Sequence, residues 1–327
     1  MNRVEKHFSL LDALLKGSLR SNRLILSALV ALAVFGFTMG SLNGAVWDPA
    51  AAGYTGRRGV TLYVSKRGDN SDGSSWGKAF HSIQAALLAV PDDKGGHRIV
   101  VRPDTYVEAN LYPDYAGAKG AYNLLIGDST GTLGSGATGR IVIDSGDPAK
   151  GFKSHDHWQT IRAIAPPSDH GGSRSSRLTW DRWILRNLYA AGGDAGLFWD
   201  VGGDSGQEFT VIVEDCVGIG RAYGGGFGCP DIRETEPIVF RRCYLMCLDW
   251  GAGAGALGVG SCHRSMPDYP DAICDDCTFV SADNAVRVLR NGRAEHADQV
   301  QGLPADRAEL LTASRPVFDG HHLQRLA

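Results

Sequence analysis

The sequence has no surplus of basic charge, no uninterrupted apolar run of about 20 residues and no phosphate-cradling glycine loop. Its formal net charge is -3, and without residues 1–45 it keeps 28 basic and 34 acidic side chains, a net charge of -6. That balance gives no electrostatic reason to expect nucleic acid or an anionic membrane surface as a partner. Gly224-Gly225-Gly226 lacks the Lys and the following helix of a phosphate loop, and no Gly-x-Ser-x-Gly nucleophile elbow stands in a strand-to-helix setting. With 43 glycines and 13 prolines the composition is not that of a helical protein, while 43% hydrophobic residues suffice for a core.

The longest apolar run is Leu24 to Met39, 16 residues, preceded by Arg20 and Arg23 and followed by small residues at Gly40, Gly44 and Ala45. It is short for a membrane span and reads as a secretory signal cleaved near Gly40 or Ala45. An uncleaved anchor of the same orientation and a buried helix are the alternatives. Export is expected, to the periplasm, the cell surface or the medium, with membrane contact only through an uncleaved N-terminal segment.

All seven cysteines (Cys216, Cys229, Cys243, Cys247, Cys262, Cys274, Cys277) fall in one stretch, and an odd number leaves at least one unpaired within the chain. Three of them share a repeated position and read as stacked small core side chains, with disulfides as the alternative. Cys243-x3-Cys247 and Cys274-x2-Cys277 do not form the tight, turn-borne ligand pairs usual for structural zinc. No metal site is therefore expected from the cysteines.

That stretch, Trp180 to Gly292, carries a short pattern four times: Ile184 to Tyr189, Val213 to Gly218, Phe240 to Leu245 and Cys274 to Phe279. Aligned on Asn187, Cys216, Cys243 and Cys277 its steps are 29, 27 and 34 residues. A second strand-like phase anchored on Phe198, Phe227, Leu257 and Val286 has steps of 29, 30 and 29. Two phases with nearly one period signal stacked repeats. Upstream, Thr61 to Ser65, Arg98 to Val101, Leu124 to Gly127 and Ile141 to Asp144 read as strands. Ser82 to Val90 reads as a short amphipathic helix, with Ile83, Ala86, Leu87 and Val90 on one face and Pro91 ending it. Such a lone apolar face suits the capping of a stack of strands.

The order Leu62-Tyr63-Val64-Ser65, a Gly/Asp turn, Trp76 to Phe80, Ser82 to Ala86 and Ile99-Val100-Val101-Arg102-Pro103-Asp104-Thr105-Tyr106 resembles the opening of bacterial right-handed parallel β-helix proteins of the pectin-lyase-like superfamily. Asp104 stands where a Gly commonly sits in them. The resemblance spans about residues 61–292 and implies an all-β solenoid with an N-terminal capping helix. It does not choose a function, since the superfamily includes lyases, hydrolases, epimerases and proteins of no known activity. The expected organisation is a signal or anchor over 1–45, a linker over 46–60, the β-helix over 61–292, and a C-terminal cap or irregular tail over 293–327. A monomer is expected.

In the superfamily, substrate usually lies along the outer face of one strand per coil and the turn after it. Counting six residues past the second-phase anchors gives Asp204, Arg233 and His263, one in each of three adjacent coils. Arg233 would neutralise a uronate carboxylate, and His263 would take the acidified α-proton in β-elimination. For hydrolysis, Asp200, Asp204 and Asp231 are the available acids. Asp200, Asp231 and Arg287 are candidate substrate contacts. Polar turns without a function are the competing reading of all these residues. Tyr223, Trp199, Trp250 and Tyr269 would stack sugars if exposed and fill the core if not, and Gly228, Gly258 and Gly260 would leave a flat strip. Asp69, Asn70 and Asp72 have the spacing of a calcium loop without the closing Glu of an EF-hand, so Ca2+ stands beside a plain solvated turn. The functional expectation is an exported protein acting on or binding a polysaccharide or cell-surface glycan, as lyase or hydrolase if catalytic. The alternative is a non-catalytic envelope or adhesion protein.

Overall fold

The computed structural model describes residues 47–145, 160–161, 179–193, 195–200, 208–228, 231–232, 236, 238–248, 255–261, 273–281, 286–290 and 293–295. At 198, 200, 228, 231–232, 258–261, 286–290 and 293–295 only the backbone course is described. The expected export segment over 1–45 and, of the expected C-terminal cap or tail, residues 296–327 lie outside the described residues. Among the described residues no helix is long and apolar enough to cross a membrane.

The chain is all-β with parallel sheets. In chain order, β1 (Thr61–Val64) and helix α1 (Ile83–Leu88) are followed by β2 (Arg98–Val101), β3 (Asp104–Val107), β4 (Asn123–Gly127) and β5 (Ile141–Asp144). A tier of three strands follows, β6 (Trp183–Arg186), β7 (Tyr189–Ala191) and β8 (Ala195–Asp200). After β9 (Glu208–Phe209), the next tier is β10 (Val211–Glu214), β11 (Val217–Gly220) and β12 (Tyr223–Gly228). Then come β13 (Asp231–Ile232), β14 (Val239–Arg241), β15 (Tyr244–Cys247), β16 (Gly255–Ser261), β17 (Ile273–Asp275), β18 (Thr278–Ser281), β19 (Val286–Arg290) and β20 (Arg293–Glu295). The first sheet runs β1-β2-β4-β6-β10-β14-β17 and the second β3-β5-β7-β11-β15-β18. The third runs β8-β12-β16-β19-β20, and β9 pairs with β13 apart from these. Every pairing between these strands is parallel except β19 with β20.

Residues in register stack into rows, and the inward rows hold the core. Leu62, Ile99, Leu125, Leu185, Val213, Phe240 and Cys274 form one such row across the first sheet, each at most 7% exposed. Burying a side chain of this size contributes roughly 2 kcal/mol. Tyr106, Ile143, Ala190, Gly218 and Leu245 form the inward row of the second sheet.

The bend from the first to the second sheet is made by Asn187, Asp215, Arg242 and Asp276, with φ of 57°, 53°, 50° and 51°. The expected alignment of Asn187 with the cysteines is thus one residue out. Asn and Asp tolerate this left-handed conformation because their short side chains bond locally, and Asn187 Nδ2 donates to the Gly127 carbonyl of the neighbouring tier at 3.3 Å. Arg242 has no such licence, but its guanidinium donates to both Asp215 carboxylate oxygens at 2.6 and 2.7 Å. The residue after each bend, Leu188, Cys216, Cys243 or Cys277, points into the core. The stacked-core expectation for these cysteines holds in that corrected position.

The second phase is also shifted. Leu197, Gly225, Leu257 and Val286 are in register, so Phe198 lies one residue and Phe227 two residues beyond the true row. Leu197 and Trp199 are both fully buried, which sets the parity of β8. Trp199 is a core residue, 6.0 Å from Phe209 between ring centroids, and offers no sugar-stacking surface.

Glycine lets the second and third sheets meet backbone to backbone. A Cβ on Gly218 would lie 2.2 Å from the Gly224 carbonyl oxygen, and one on Gly224 would lie 2.4 Å from the Met246 nitrogen. Leu245 of the next tier covers the gap, its δ carbons 3.0 Å from where a Cβ of Gly218 or Gly225 would sit.

Helix α1 is shorter than the expected Ser82 to Val90, because Ser82 caps it and Ala89 ends it. Its apolar face is as read, with Ile83, Ala86, Leu87 and Val90 buried. Glu108 anchors it, accepting from the Ile83 and Gln84 amides at 2.8 and 2.9 Å. Residues 47–60 pack on the outer side of the first sheet. Trp47 stacks on Tyr122 at 5.1 Å, and Asp48 pairs with Arg186 at 2.6 Å.

Asp128, 1% exposed, organises the turn after β4 by accepting from the Leu133 and Ser135 amides, both at 2.9 Å. Burial pushes its carboxyl up, yet the amide and hydroxyl donors around it prevail and hold it below its ordinary value. The native pKa is the lower one, so the stabilisation is complete above about pH 4 and fades as pH falls through the depressed value. The unfolding free energies of the protein and of Asp128→Asn, read from urea titrations, are expected to differ by about 1 kcal/mol at neutral pH and to converge in acid.

Candidate functional site

Asp204, Arg233 and His263 lie outside the described residues, as do Trp250 and Tyr269. The shifted register changes the count that selected the first three: six residues past Leu197, Gly225 and Leu257 stand Gly203, Asp231 and His263. Asp200 stands opposite Gly228 and Arg287 opposite Gly258, so both belong to the third sheet. Asp231 does not join them, for it pairs with Glu208 in the separate β9–β13 ladder. This brings two acidic positions side by side in neighbouring tiers, at the strand spacing of about 4.8 Å.

The turn over residues 69–74 uses its own carboxylates. Asp69 accepts from the Ser71 amide at 3.0 Å, and Asp72 accepts from the Ser74 amide at 2.9 Å and from Lys78 Nζ at 3.0 Å. Hydrogen bonds from Ser74 and Lys78 lower the Asp72 carboxyl to about 2. Among the described residues no group of three or more His, Cys, Asp or Glu is placed to hold a metal ion.

The outer side of the first sheet carries an ion-pair row, Arg186, Glu214, Arg241 and Asp275, one residue per tier. Glu214 accepts from Arg186 Nη2 at 2.6 Å and from Arg241 Nη1 at 2.7 Å, while Arg241 Nε reaches Asp275 at 3.1 Å. Every charge in it is matched by a neighbour, so it reads as a structural element.

The outer face of the second sheet differs in kind. One of its rows is Val142, Tyr189, Val217, Tyr244 and Thr278, all half-buried, and the next is Asp144, Ala191, Ile219 and Met246. Tyr189 and Tyr244 flank Val217, two strand spacings or about 10 Å apart. Burial and the nearby Tyr189 raise the Tyr244 phenol above its usual value. The Arg140 guanidinium lies 5.7 Å from the centre of the Tyr189 ring. Two aromatic rings, a low aliphatic surface between them and a cation at the margin form a platform on which a sugar ring can stack. Sequence reasoning missed it because it sought the site on another sheet. The signal was the Tyr189 and Tyr244 pair at matching positions of two repeats.

No family model and no curated protein matches this chain. Among solved structures it is similar to one described as the crystal structure of Escherichia coli ybhc, with 12% sequence identity and a TM-score of 0.38 over 74% of this chain and 70% of that one.

Proposed function

We propose that the three parallel sheets are the walls of a right-handed parallel β-helix of the pectin-lyase-like kind, and that the protein is exported and binds or acts on a polysaccharide. The Tyr189, Val217 and Tyr244 row carries this reading. A stacked sheet gives a rigid platform, and aromatic rings fixed on it lose little entropy when a sugar docks. Catalysis, by elimination or hydrolysis, would fall to Asp204, Arg233 and His263, with Asp200, Asp231 and Arg287 as contacts.

The test is a panel of uronate-containing and neutral glycans, with binding followed by calorimetry and turnover by absorbance of unsaturated products and by reducing ends. Tyr189→Ala and Tyr244→Ala are each expected to weaken binding roughly 5- to 10-fold. Undiminished binding in both variants removes the platform from the proposal. Binding without turnover selects the adhesion reading, and turnover unaffected by Arg233→Ala and His263→Ala places the chemistry elsewhere.

A further inference from the structure

Cys216, Cys243 and Cys277 follow the bend in three successive tiers. Cys243 and Cys277 are directly apposed, because the residues two before and one after them are paired, Arg241 with Asp275 and Tyr244 with Thr278. None of the five described cysteines is joined in a disulfide, and Cys243 and Cys277 are 2% and 4% exposed. Each thiol of the column also reaches a carbonyl of the preceding tier: Cys216 to Leu185 at 3.6 Å, Cys243 to Val213 at 3.4 Å and Cys277 to Phe240 at 3.3 Å. Interaction with the Cys277 thiol, together with burial, raises the Cys243 thiol, while the Cys243 thiol lowers that of Cys277 against the effect of burial.

We propose that Cys243 and Cys277 form a disulfide when the chain folds in an oxidising compartment, stapling two adjacent bends together. The strand spacing of about 4.8 Å falls within the Cα separations that a disulfide spans. The step between these two cysteines is the longest of the three between these bends, 34 residues against 28 and 27, so the staple closes a longer loop than a Cys216–Cys243 link would. In the reaction both thiols lose their hydrogens and one S–S bond forms. The two electrons and two protons pass to a disulfide oxidant such as glutathione disulfide, which leaves as two thiols. The bond must form before the tiers close, since Cys243 and Cys277, 2% and 4% exposed, are out of reach of an oxidant in the folded chain.

The test uses the full chain, refolded from denaturant in a glutathione and glutathione disulfide buffer and digested without reductant. Mass spectrometry is expected to find the Cys243 and Cys277 peptides linked. Reductant should then lower the melting temperature by several degrees, an effect missing in Cys277→Ala. Glutathione disulfide added to the reduced, already folded protein should leave the column unreacted. Cys243 and Cys277 recovered as thiols after oxidative refolding, or Cys216 linked to Cys243 instead, overturns the proposal. Because linkage is read on the unmutated chain, the outcome does not depend on any variant folding or on the glycan reading.

Discussion

Gly224→Ala is expected to destabilise the protein by about 3 kcal/mol or more, the upper end of what overpacking costs. The added carbon would sit 2.4 Å from the Met246 nitrogen, 2.9 Å from the Ala256 carbonyl oxygen and 2.9 Å from that of Gly218. All three neighbours are backbone, so relief requires whole strands to move rather than a side chain to rotate. The loss would be read as a lowered urea midpoint with an unchanged slope. Gly120→Ala is the control. Its φ of +73° makes alanine strained, but nothing lies within 4 Å of the new carbon. That change should cost only the backbone penalty of about 1–2 kcal/mol. Equal losses in the two variants would show that crowding between the second and third sheets is not what demands glycine at 224.

Glu214→Ala is expected to cost about 3 kcal/mol, because it strips a largely buried carboxylate from between two guanidinium groups. The Glu214 side chain is 9% exposed, and among the described residues its removal leaves Arg186 paired with Asp48 and Arg241 with Asp275. The pair Arg242 and Asp215, 46% and 36% exposed, provides the comparison. Its geometry is as good, yet solvent screens it, and Arg242→Ala should cost under about 1 kcal/mol. Added salt should shrink the Arg242 effect and leave that of Glu214 nearly intact.

The repeat was legible because its inward rows are large apolar side chains at nearly constant spacing. The strands at Thr61, Arg98, Ile141 and Trp183 all follow from that pattern, as does the buried face of the helix. The register was misread where the side chain vanishes. Gly225 fills a core position with no side chain of its own, because Leu245 from the next tier occupies the space, and the eye moves on to Phe227. Asn187 misled differently. Asn and Cys look interchangeable in the aligned strings, but one takes a left-handed backbone and the other fills the core one residue later. The platform at Tyr189 and Tyr244 stayed hidden because its meaning comes from stacking two tiers apart, which only the register reveals. The residues expected to carry catalysis were reached by counting past the strands, where no periodicity constrains what the next residue must be.

The reversal at β20 bears on how copies of this protein behave when concentrated. Stacked parallel strands offer at their ends a template that a second molecule can extend, and repetition of that join builds a fibre. On the third sheet the final described pairing runs the other way, Val288 with Glu295 and Arg290 with Arg293. A molecule arriving end-on therefore meets, on that sheet, a strand of opposite direction, and continuing the stack in its own direction would require an antiparallel pairing there. The turned-back strand thus breaks, on that sheet, the parallel ladder that a second copy would extend.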